Sequence, residues 1–119
     1  MDRLYGDGPF GNAFRARLKE LAASVRESGA TLVLACFPTA DQVRSGRAAP
    51  QASLSLTARE LGVEFIDLLP EFRNAHASGE LFVEDGLHPN AEGDAIAAAR
   101  VAESVVAIVQ KTGARPTRP

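Results

Sequence analysis

The residues best able to do chemistry stand together in Glu84-Asp85-Gly86-Leu87-His88-Pro89-Asn90. An acid precedes a histidine by three positions, and a proline follows the histidine at once. Pro89 disfavours helical geometry at His88, which places the imidazole in a loop or an extended segment. Gly86 lets the backbone turn tightly between the acid and the ring. Asn90 suits the N-cap of a following helix, with Glu92 favourably set in its first turn. A loop pinned in this way can hold the Asp85 carboxylate against one ring nitrogen of His88 and leave the other free to move a proton. The plainer alternative for the same residues is a polar loop that caps a helix, with His88 satisfied by a nearby carbonyl.

The longer stretch Asp85-Gly86-Leu87-His88-Pro89-Asn90-Ala91-Glu92-Gly93 resembles the last conserved block of the SGNH/GDSL hydrolases, esterases and acyl hydrolases whose acid and base share a D-x-x-H element. The resemblance implies that His88 matches the general base and Asp85 the residue that orients it. It also implies a three-layer, flavodoxin-like α/β fold. It extends from about residue 12 to 111 but corresponds only to the C-terminal half of that fold, two parallel strands with flanking helices.

The elements that must position the pair can be read along the chain. Residues 1–11 are glycine-rich and read as an irregular segment. Gly6-Asp7-Gly8 has glycine where the family's Gly-Asp-Ser block has its nucleophile, and Met1–Tyr5 is too short and polar to be the buried strand that precedes that block. A helix is predicted over Asn12–Ser28, with Phe14, Leu18, Leu21, Ala22 and Val25 on one apolar stripe and Gly29 as its stop. The apolar run Thr31–Phe37 reads as a strand buried on both faces, as in parallel sheets. Cys36, at its end, reads as a small buried hydrophobe.

Pro38–Ala49 reads as a loop with one possible helical turn, whose Asp41, Gln42, Arg44 and Arg47 are solvated or face a ligand. A helix over Gln51–Leu61 points Leu54, Ala58 and Leu61 inward and stops at Gly62. Val63–Asp67 is the second strand, and Asp67 is positioned to cap the next turn. Leu68–Ala77 forms a short helix with Pro70 in its first turn and His76 exposed. The last helix, Ala91–Lys111, turns Ala98, Val101, Ala102, Val105, Val106, Ile108 and Val109 to one side, with Asp94 on the inward side and Arg100 away from it. Thr112–Pro119 reads as a disordered tail. The order helix, strand, helix, strand, helix is that of an α/β unit with a right-handed crossover.

Composition excludes several function classes. The chain has 119 residues, enough for one modest domain. Thirteen basic against fifteen acidic residues give a net charge of −2, so no nucleic-acid partner is expected. Cys36 is the only cysteine, which rules out an internal disulfide and leaves no thiolate metal site. No apolar run is long enough to span a membrane. The start lacks the basic-then-apolar layout of a signal peptide. No cofactor or metal is expected: Asp85 and His88 have no further histidine or cysteine nearby to complete a metal's ligands.

The resemblance also shows what these residues lack. There is no serine nucleophile block, and none of the glycine and asparagine that complete the family's oxyanion hole. Ser45, Ser53 and Ser55 fall in a polar loop or helix start. Removing a triad nucleophile costs roughly 10⁶-fold in rate in a well-studied hydrolase. Each lost oxyanion donor is worth about 10²–10³. The expectation is therefore the Asp–His half of a serine esterase, inactive alone, whose partners are an ester substrate and either the missing N-terminal half or further copies of itself. The alternative is a non-catalytic binding or assembly module built on the same half-fold.

Overall fold

A computed structural model describes residues 8–76 and 79–112. Among them are five helices and two strands: α1 (Pro9–Glu27), β1 (Val33–Cys36), α2 (Ala40–Ser45), α3 (Ala49–Leu61), β2 (Glu64–Asp67), α4 (Leu69–His76) and α5 (Ala91–Thr112). The chain is mixed α/β and divides into two units. The first takes in residues 1–36 and 45–67, the second residues 37–44 and 68–119. None of the described helices is long and apolar enough to cross a membrane.

In the first unit, β1 and β2 pair in parallel, Val33 with Glu64, Leu34 with Phe65, Ala35 with Ile66 and Cys36 with Asp67. Pro9 opens α1 three residues ahead of the expected start, because its fixed φ suits a first helical turn and Gly8 stands in extended geometry before it. The rest of the expected irregular segment and the tail after Thr112 lie outside the described residues. α1 buries Leu18 and Ala22 and half-buries Phe14 and Val25, while Leu21 at the edge of the stripe is 48% exposed. Ala22, Ala58 and Val63 form a small core packed by Leu32, Leu34, Leu61 and Phe65.

The end of α3 is closed twice. Gly62 takes a left-handed conformation (φ 68°), and the Val63 N–H reaches back to the Ala58 carbonyl at 2.8 Å. The Arg26 guanidinium then donates to the Leu61 carbonyl at 2.9 Å, which supplies a cation where the helix leaves its carbonyls unpaired. The strand β1 departs from expectation. Ala35 is exposed and Val33, Leu34 and Cys36 are only half-buried. Burial on both faces needs helices packed on each side of the sheet, and among the described residues the sheet has two strands.

In the second unit, the loop expected at Pro38–Ala49 contains a formed helix, α2. Thr39 Oγ1 accepts the Gln42 N–H at 3.2 Å and Gln42 Oε1 accepts the Thr39 N–H at 3.0 Å, a reciprocal capping box. Phe72 is fully buried between Phe37, edge-on at 6.4 Å, and Phe82, tilted at 5.6 Å.

The last helix also corrects the prediction. Its buried side carries Gly93 and Ala97, with half-buried Arg100 following at helical spacing, and not the valine stripe. Arg100 donates to Glu71 of α4 at 3.0 Å and to Ser104. Val105 and Val106 are exposed, and so are Ala98, Ala102 and Asp94; Val101, Ile108 and Val109 are half-buried. Small side chains at Gly93 and Ala97 permit a close approach that the bulkier valine face does not.

Candidate functional site

The site rises from a turn between Leu81 and Asn90. Its two arms are joined by an antiparallel bridge of Phe82 with Pro89. The Val83 N–H donates to the His88 carbonyl at 2.9 Å, and the Asn90 N–H to the Leu81 carbonyl at 2.8 Å. At the tip Gly86 has φ 68°, a conformation open to glycine, and its N–H donates to the Val83 carbonyl at 3.0 Å. Its own carbonyl accepts the Ala40 N–H at 2.8 Å, which ties the tip to the start of α2.

Asn90 is the N-cap that its residue type suggests. Its Oδ1 accepts the Gly93 N–H at 3.0 Å and its backbone carbonyl the Asp94 N–H at 2.8 Å. Its Nδ2 donates to the Glu80 carbonyl at 2.8 Å, a second tie that the sequence did not disclose.

Within this frame Asp85 and His88 meet. Asp85 Oδ1 accepts the Leu87 N–H at 2.8 Å and the His88 N–H at 3.0 Å, while Oδ2 lies 2.5 Å from His88 Nδ1. The backbone N–H of His88, then its ring, then the Leu87 N–H stabilise the carboxylate and lower the Asp85 pKa to about 2. Asp85 is therefore ionised at neutral pH, so the proton in the contact belongs to Nδ1. In the neutral ring the lone pair then lies on Nε2, to which no described residue of the same unit hydrogen-bonds. The His88 side chain is 77% exposed and that of Asp85 43%. A ring fixed at Nδ1 by a carboxylate and open at Nε2 can act as a general base.

The other polar candidates stand elsewhere. Asp41 and Arg44 form an exposed pair at 3.7 Å, Gln42 is buried in the α2 cap, and the Arg47 N–H donates to Ser45 Oγ. His76 is exposed at the end of α4. Ser53 and Ser55 lie inside α3, and Ser104, in the unit that carries His88, holds Arg100. Among the described residues no group of three or more His, Cys, Asp or Glu side chains could hold a metal ion. A depression of about 460 Å³ between α4 and α5 is lined by Glu71, Asn74, Ile96, Arg100 and Glu103 among others, and contains neither Asp85 nor His88. No family model matches the chain, and neither a curated protein nor a solved structure does.

Proposed function

We propose that the chain supplies the acid–base half of an SGNH-type serine esterase or acyl hydrolase, with His88 as general base and Asp85 as the residue that orients it. One observation carries this reading: His88 Nδ1 is held 2.5 Å from the Asp85 carboxylate while the His88 side chain is 77% exposed. In acyl transfer Nε2 takes the proton of a serine hydroxyl as the oxygen attacks the ester carbonyl, and later returns it to the leaving alcohol. Asp85 stabilises the imidazolium formed between these steps without itself taking the proton. The hydroxyl and the oxyanion donors come from a complementing segment that carries a Gly-Asp-Ser block, and that segment also shields the exposed ring from water.

The test is hydrolysis of a short-chain nitrophenyl ester by the chain alone and with a nucleophile-bearing segment supplied. The chain alone is expected to be inactive and the complemented enzyme active. In the latter, His88→Ala should remove nearly all activity, on the order of 10⁶-fold. Asp85→Ala should cost less, on the order of 10⁴-fold, since it leaves the base in place but unoriented. Turnover by the chain alone that His88→Ala abolishes would overturn the claim that the nucleophile comes from elsewhere.

A second reading is a non-catalytic binding or assembly module on the same half-fold. It is favoured by Val105 and Val106, which stand exposed side by side on α5 and suit a contact surface better than a solvated one. Complementation that yields a stable complex but no ester hydrolysis would support it.

A further inference from the structure

Gly93 sits in the first turn of α5 and is buried. A Cβ built on it would run into the Leu81 carbonyl oxygen, and would stand 2.8 Å from Pro89 Cβ and 3.4 Å from the Leu81 carbonyl carbon. These obstacles are backbone and a proline ring, so none can swing aside as a flexible side chain would. The same Leu81 carbonyl accepts the Asn90 N–H, and the Gly93 N–H donates to Asn90 Oδ1. Pro89 directly follows His88, whose carbonyl is bound by Val83 on the opposite arm. The first turn of α5 thus rests on both arms of the turn that carries Asp85 and His88. Glycine is a poor choice for a helix interior, where alanine is favoured by its smaller entropy loss and better propensity. Gly93 therefore stands against local preference at a place where any side chain would displace the arms.

We propose that Gly93 is a positioning residue for the Asp85–His88 pair: its missing side chain lets α5 seat against Leu81 and Pro89 and so sets the imidazole against the carboxylate. The inference rests on the proposed esterase function for its catalytic meaning, but its geometric content concerns this chain alone. A methyl group at position 93 pushes Leu81 or Pro89 outward and carries the His88 backbone with it. The contact between Nδ1 and Oδ2 is directional and weakens steeply with misalignment.

The experiment uses the full chain and two variants, Gly93→Ala and Ala95→Gly. Ala95 is exposed in the same helix, so its replacement lowers helix propensity without touching the arms. The readouts are the ¹⁵N shifts of the His88 ring, which report which nitrogen holds the proton, and a ¹³C titration of the Asp85 carboxyl. Gly93→Ala should raise the Asp85 pKa by about one unit, a tenfold change in the protonation equilibrium, and mix the His88 tautomers. Ala95→Gly should leave both signals as in the wild type. Wild-type signals in a folded Gly93→Ala chain, or equal shifts in both variants, would overturn the proposal.

Should Gly93→Ala not fold, Asn90→Ala opens the same seat without adding volume. Unchanged Asp85 and His88 signals in that variant would count equally against the positioning role. The two readings separate cleanly. Altered signals in a chain that no nucleophile-bearing segment activates would sink the esterase function and leave the positioning role intact. An active complemented enzyme with unaltered Gly93→Ala signals and rate would do the reverse.

Discussion

Asp85 binds two backbone N–H groups with one oxygen and an imidazole with the other, and that arrangement becomes visible in acid. Its pKa is about 2 in the folded chain, against about 3.9 for an unperturbed aspartate. The folded value is the lower one, so the stability it contributes is fully present above about pH 4 and is lost as pH falls through about 2. Urea unfolding should show the wild type more stable than Asp85→Asn at about pH 5, and the gap should close between about pH 4 and 2. A gap that stays constant down to pH 2 would contradict the bonded geometry. This part of the site was legible in the sequence because everything in it is local: two residues separate acid from base, and Asn90 caps the helix that begins beside it. Gly93 closes the stretch singled out in the sequence, but its packing was not legible there, since it depends on Leu81, a residue brought near only by the turn.

At the level of elements, the β1–β2 register sets Cys36 beside Asp67. Burial first, and the Asp67 charge second, push the Cys36 thiol up to about 11. Because the neutral thiol is the favoured form, its contribution to stability holds below the ordinary thiol range and is lost as pH rises through about 11. Alkylation by iodoacetamide at pH 8 should be much slower than for an unfolded control, and Asp67→Asn should speed it modestly; equal rates for folded and unfolded chains would contradict the buried register.

Phe72 gives the second unit a sharper test. It is fully buried against Phe37 and Phe82, and Phe82 forms the bridge to Pro89. Phe72→Ala should cost about 3–5 kcal/mol in urea unfolding.

Two elements show what a sequence pattern leaves open. The stripe of α5 states which residues share a face, but not which face is covered; Gly93 and Ala97 won that contest because they are small. The helix α2 was read only as a possible turn within a loop, although Thr39 and Gln42 stand at capping-box spacing, a signal present in the sequence.

For the whole molecule, apolar surface decides behaviour. Leu18 is 6% exposed and belongs to the core, so Leu18→Glu should unfold the chain. Leu21 and Val106, at 48% and 55% exposed, are different: Leu21→Glu or Val106→Glu should leave the melting temperature nearly unchanged and reduce self-association seen by light scattering. Among the described residues the sheet has two strands, so each has one side without a strand partner, a route to pairing with another chain. A sharply melting wild-type monomer at high concentration would show that these surfaces need no cover.

Among the described residues, the turn that holds Asp85 and His88 draws its hydrogen bonds from Glu80 to Asp94, apart from the donation by Ala40. Acid, base and cap therefore form one contiguous cassette. Under the proposed function, recombination upstream of Glu80 exchanges the source of the nucleophile without parting His88 from Asp85. In such a lineage the two halves of the chemistry are free to be inherited, duplicated or lost as separate pieces.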